Sequence, residues 1–178
     1  VQADIDIIGE PGVIAEVELI TATSQVLAEL GLAGCAIRVN DRRILFGLLE
    51  HVGLAPEHHD RALITVDKLD KIGVDGVVAE LAETDTAAAE ALRGVLESVE
   101  AALAAGIPVT REAIEAVLPA EAGASGIANL VALGAALEDG LPEGVEIRFD
   151  PTLVRGMGYY TGTIFEIAHP GSGSSVGG

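Results

Sequence analysis

The stretch Leu153-Val154-Arg155-Gly156-Met157-Gly158-Tyr159-Tyr160-Thr161-Gly162-Thr163-Ile164-Phe165-Glu166 runs an arginine, a glycine-loosened turn and two tyrosines straight into a strand pattern. Residues 161–167 alternate with period two, and so does Val145-Glu146-Ile147-Arg148-Phe149 upstream, so two predicted strands flank Arg155. They are close enough in sequence to pair antiparallel, whereas a parallel pair needs a longer crossover. An arginine keeps its charge at every accessible pH, and the slim backbone beside it lets a phosphate or carboxylate approach closely. The tyrosines add aromatic walls with hydroxyl handles. The plainer reading is a surface arginine in a hairpin loop. Its place between Gly156 and an aromatic pair, rather than on a charged helix face, favours the anion-binding one.

Working outward, the chain between Pro56 and about Gly140 is alanine-rich and helical in spacing. Helices are predicted over 56–72, 75–81, 84–105, 110–118 and 125–137, divided by Gly73, Gly106-Ile107-Pro108, Pro119 and Gly123. Apolar residues at three- and four-residue spacing, as in Leu92, Val95, Leu96, Val99 and Leu103, give one of these a buried stripe. Before this block, 3–9 alternates as a strand, 13–30 has helical spacing up to Gly31, and 36–40 is a second short strand. Asn40 or Asp41 can cap a helix running on to Gly53. The layout is an α+β chain in which a helical block interrupts a sheet. We divide it as 1–55 for the first part of the core, 56–142 for the helical insertion and 143–178 for the return to the core. The abrupt opening strand and the Gly/Ser-rich end, Gly171 to Gly178, are read as cuts from something longer.

With 178 residues the chain can bury roughly 70% of its unfolded surface, enough for one substantial core or two small ones. No basic-then-apolar leader and no apolar run of about 18 residues is found, so the expected setting is soluble, cytoplasmic and away from membranes. A single cysteine, Cys35, rules out an internal disulfide framework and a cysteine-rich zinc site. The four histidines, His51, His58, His59 and His169, lack metal-ligand spacing, so no metal site is expected. Ten Lys+Arg against 28 Asp+Glu leave a net charge of −18, which repels nucleic acid at long range and offers no basic footprint. Most of that acidity is read as a solubilising surface.

Read with Asp150-Pro151-Thr152 in front of it, the Arg155 segment closely resembles the second signature of histidyl-tRNA synthetases, an Arg-Gly-Leu-Asp-Tyr-Tyr-Thr-Gly run; Met157 and Gly158 depart from it. Gln2 and Asp6, four apart and on one face of the predicted strand, a parity Asp4 shares, resemble the family's Gln-Cys-Asp-Phe-Asp-Ile run. Val39-Asn40-Asp41-Arg42-Arg43-Ile44-Leu45 and Thr65-Val66-Asp67-Lys68-Leu69-Asp70-Lys71 are similar to further family stretches. The resemblance implies a class II synthetase-like antiparallel sheet with an inserted helical domain. It also implies roles. Arg155 would be the catalytic cation at the α-phosphate of ATP; Tyr159 and Tyr160 would belong to the histidine pocket; Gln2 and Asp6 would take the amino acid's backbone groups and its imidazole or ammonium. The plainer reading of the last pair is one polar face of an edge strand.

The function implied is that of a histidine-tRNA ligase, joining histidine and ATP into histidyl-adenylate and passing histidine to tRNA. ATP enters as a substrate with Mg²⁺, with no tightly bound cofactor, and the parent is expected to be a homodimer. The dimer-forming segment, the upstream half of the ATP site, the last ATP motif and the anticodon-binding domain are not found in this sequence. The chain alone is therefore expected to be inactive, and tRNA to be held mainly by segments outside it. Two other classes are weighed against this one. The first is the regulatory paralogue that partners the first enzyme of histidine biosynthesis, ATP phosphoribosyltransferase; the intact Arg155 and Tyr159-Tyr160 run argues against it. The second is an isolated histidine-binding module, which would bind the amino acid without turning over ATP.

Overall fold

The structure, a computed structural model, describes residues 3–32, 34–120, 122–155 and 160–178. Helix α1, Val13–Glu29, stops where Gly31 takes a positive φ and Leu32 N–H donates to Leu27 O, a glycine-ended turn that satisfies the last carbonyls. Strand β1, Cys35–Asp41, leads directly into α2, Arg42–His51. The Asp41 carboxylate receives the Arg43 N–H at 2.9 Å and caps that helix. Asn40 does not cap. It is fully buried and donates to Leu153 O at 3.1 Å.

The helical block begins with a 3-10 turn, Pro56–His58, followed by α3, His59–Val66, and α4, Leu69–Ala82. The predicted break at Gly73 is present as a kink within α4, where Gly73 adopts φ 67° and ψ 176°. Helix α5, Thr86–Ala105, is capped by Asp85 and stopped by Gly106; α6 spans Arg111–Val117 and α7 Ala124–Leu137. Strands β2, Val145–Phe149, and β3, Thr163–Ala168, complete the chain.

The sheet corrects two expectations. Strands β2 and β3 do not form a hairpin; β1 lies between them, parallel to β2 and antiparallel to β3, so the three-stranded sheet is mixed rather than wholly antiparallel. The described parts of the connection, 150–155 and 160–162, instead meet the C-terminal end of β1. They are pinned there by the Asn40 to Leu153 bond and by Arg42 N–H donating to Gly162 O at 3.0 Å. Period-two spacing fixes which face a residue takes and leaves the neighbouring strand open. Likewise, 3–9 alternates as a strand does yet is irregular, with Ile5 and Ile8 exposed. A strand needs a partner for its backbone N–H and C=O groups, and this segment pairs with none of the three strands.

Two apolar clusters hold the molecule together. The first lies on one sheet face, where Ile37, Val39, Val145, Phe149 and Ile167 pack with α1 and α7. The second joins α3, α4 and α5 through Leu63, Val77, Leu81, Leu92 and Leu96. Helix α2 serves both, sending Ile44 and Leu48 to the first and Leu45 and Leu49 to the second. Gly47 lets α2 touch α7, since a Cβ there would collide with the backbone N of Gly123. Leu153, Val154 and Ile164 belong to the second cluster, so both ends of the Arg155 segment are anchored in apolar packing.

Candidate active site

The sheet face opposite the first cluster carries the charged residues. In β1, Ala36, Arg38 and Asn40 alternate with Cys35, Ile37 and Val39, and strand pairing sets Arg38 opposite Arg148 on one side and Glu166 on the other. Just beyond β2, one carboxylate oxygen of Asp150 accepts a hydrogen bond from Arg38 Nε at 2.6 Å and forms an ion pair with Arg38 Nη2, also at 2.6 Å. Its other oxygen accepts from Thr152 N–H at 2.9 Å and Thr152 Oγ1 at 2.7 Å. Burial works against the charge of Arg38, but the charge and hydrogen bond of Asp150 outweigh it, helped by Glu166 and Asp70, so the arginine's pKa is raised.

Arg155 enters this group from the crossing segment. Leu153 and Val154, both buried, fix the backbone just before it, and its guanidinium reaches Glu166 Oε2 at 3.4 Å and Gly178 O at 3.5 Å. Glu166 Oε1 lies 3.5 Å from Arg38 Nη1. One carboxylate thus stands between two arginines, one clamped at 2.6 Å by Asp150 and the other held, among the described residues, by long contacts.

Beside the cluster a cavity of about 630 Å³ opens between this face and the helices, floored by Arg38, Arg148 and Asp150 and walled by Asp70, Gly73 and Glu100. A smaller one of about 120 Å³, sharing Arg38 and Asp70, reaches Glu166 and Val154. Cavities of this kind suit a polar ligand with charges of both signs.

Tyr160 is half-buried against the second cluster. Asp6 is exposed in the irregular opening segment and contributes none of the bonds that build the charged group. Gln2 and Tyr159 lie outside the described residues. Sequence reasoning passed over Arg38, Asp150 and Glu166. The available signal was an arginine alternating with Ile37 and Val39 in a strand, a charge placed on the face away from a core. His59 is structural: it is buried, donates to Leu54 O at 2.9 Å and stacks on Phe46. Among the described residues no three His, Cys, Asp or Glu side chains are grouped to hold a metal ion.

Comparison with known proteins agrees with this architecture. The family model described as Histidyl-tRNA synthetase matches residues 1–178. A histidine–tRNA ligase of Leifsonia xyli subsp. xyli is 60% identical over the whole of this chain and 41% of its own length. A probable histidine–tRNA ligase of Tropheryma whipplei is 39% identical over 95% of the chain, again 41% of its own length. The chain therefore spans about 41% of the length of these relatives. A crystal structure from Bacillus halodurans, described as an ATP phosphoribosyltransferase regulatory subunit/histidyl-tRNA synthetase, superimposes with a TM-score of 0.70 at 24% identity, covering 94% of this chain and 42% of that one. That likeness speaks for a class II synthetase-like α+β fold. With every residue matched by the family model and a relative at 60% identity, the chain belongs to the histidyl-tRNA synthetase family.

Proposed function

We propose that this chain supplies part of the active site of a histidine–tRNA ligase, with Arg155 as the cation that meets the α-phosphate of ATP. The observation that carries the proposal is the contrast between the two arginines. Arg38 is held by short contacts to Asp150, while among the described residues Arg155 has contacts of 3.4 and 3.5 Å, long enough to leave its donor fork to an incoming anion. In the reaction, a carboxylate oxygen of histidine attacks the α-phosphorus, a new P–O bond forms and pyrophosphate leaves with the electrons of the broken one. Negative charge building on the α-phosphate oxygens would meet a fixed guanidinium. The adenylate would then pass its histidyl group to a hydroxyl at the 3′ end of tRNA, releasing AMP.

The remaining roles follow the chemistry of each side chain. Tyr160 and Tyr159 would line the histidine pocket, Asp6 would accept from the imidazole N–H or the ammonium, and Gln2 would bind the amino acid's backbone groups. ATP enters as its magnesium complex, with the metal carried on the phosphates as part of the substrate. The net charge of −18 supports a tRNA footprint in other segments of a longer chain, which would act as a homodimer in the cytoplasm. The division into a core of 1–55 and 143–178 with an insertion of 56–142 draws support from the apolar packing of α3, α4 and α5, a cluster that Leu45, Leu49, Leu153, Val154 and Ile164 of the core also enter, while α6 and α7 pack with the sheet.

The regulatory-subunit reading has less support, because the relatives at 60% and 39% identity are both histidine–tRNA ligases. Histidine-dependent ATP–pyrophosphate exchange by the full-length protein that carries these residues is the test. Exchange with histidine and none with other amino acids is expected. Absence of exchange in the folded protein would overturn the ligase reading in favour of the regulatory one.

A further inference from the structure

We propose that Glu166 is a positioning residue for Arg155, and that Arg38 and Asp150 form the rigid mount behind it. The inference rests on the proposed role of Arg155 at the α-phosphate and goes beyond it by naming what aims the guanidinium.

The chain of contacts runs from a stiff end to a loose one. Asp150, its side chain 5% exposed, is fixed by both the backbone and the hydroxyl of Thr152. It grips Arg38 through two donors at 2.6 Å. Arg38 sits on the central strand, and its register partner in β3 is Glu166, so backbone pairing as well as charge sets where this carboxylate stands. Glu166 divides its two oxygens between Arg38 at 3.5 Å and Arg155 at 3.4 Å.

Two consequences follow from this geometry. A carboxylate shared by two cations is a weaker competitor for either than one devoted to a single partner, so a phosphate can draw Arg155 away without leaving Glu166 unpaired. At the same time the Arg155 side chain, which is long and rotamer-rich, is confined above the sheet face before any ligand arrives, which lowers the ordering cost at the moment of reaction. Arg38, with Asp150 as its own counter-ion, keeps Glu166 in place while Arg155 works.

The test is a double-mutant cycle in the full-length protein, reading kcat and KM for histidine in ATP–pyrophosphate exchange, with thermal unfolding as a control on folding. Arg155→Ala should lower kcat by about 10²–10³. Glu166→Gln keeps the shape and removes the charge; it should lower kcat by roughly 10- to 100-fold with the KM for histidine unchanged. A residue acting only through Arg155 has nothing left to lose once Arg155 is gone, so adding Glu166→Gln to Arg155→Ala should cost no further activity. A Glu166→Gln protein with unchanged kcat would overturn the inference. So would a loss that adds in full to that of Arg155→Ala. Either result leaves the role of Arg155 standing if Arg155→Ala itself collapses exchange. Should Arg155→Ala exchange normally, the role of Arg155 falls and this inference falls with it.

Discussion

The two faces of one small sheet do opposite work. On one, Ile37, Val39, Phe149 and Ile167 are shut away from water against α1 and α7. On the other, one residue out of step along the same strands, Arg38, Arg148 and Glu166 gather with Asp150 and Arg155 beside a cavity of about 630 Å³. The comparison teaches that a single backbone carries both the stability and the chemistry, separated only by the alternation of side chains. Substitutions on the first face should therefore be read in unfolding, and those on the second mainly in turnover.

The largest stability effect is expected from the apolar face. Phe149→Ala empties a fully enclosed site at the end of β2 and should cost about 3–5 kcal/mol in denaturant unfolding. A cost near zero would break the contrast at once. Arg38→Met tests the other face. It strips Asp150 of its guanidinium partner, but Arg38 is 27% exposed and Asp150 keeps both bonds from Thr152, so about 2 kcal/mol is expected, between the values for surface and buried pairs. The same variant should lose exchange activity well beyond what that stability change explains.

Asp41 sharpens the comparison because it is a charge on the apolar side, at the end of β1. It is fully buried, caps α2 and pairs with Arg43, so Asp41→Ala should cost about 1–2 kcal/mol, measurable by the same unfolding. The smallest effect lies across the cavity, in the helical lobe. Lys68 donates to Glu80 at 2.6 Å and holds that carboxyl below the usual carboxylate range. A lowered pKa in the folded state means stability that is present above the ordinary carboxyl pKa and lost as pH falls through the lowered one. Lys68→Met should return the Glu80 titration, followed by NMR, to the ordinary range and remove that acid-side dependence.

Much of this was legible in the sequence, and the limits have physical causes. Stop signals such as Gly31, Gly73 and Gly106 and the 92–103 stripe located helices, because helix formation is local. Strand 145–149 was visible from alternation, and the later strand was read as 161–167 where the structure has 163–168. Sheet order was not, since pairing β1 with both later strands is a contact over more than a hundred residues that alternation does not encode. The same reason misassigned 3–9, which alternates correctly and pairs with none of the three strands. Arg155 stood out through its glycine and tyrosine neighbours. Asp150 and Glu166 carry no such local mark and Arg38 only its alternation with Ile37 and Val39; the three meet only once the sheet is assembled.

The most direct measurement is histidine-dependent ATP–pyrophosphate exchange and thermal unfolding recorded together on the full-length protein and its Arg155→Ala variant. Because Arg155 is held by long contacts on the charged face, a loss of about 10²–10³ in exchange is expected, with an unfolding midpoint close to that of the parent. Exchange that survives the substitution, or that is lost only in step with unfolding, would contradict it.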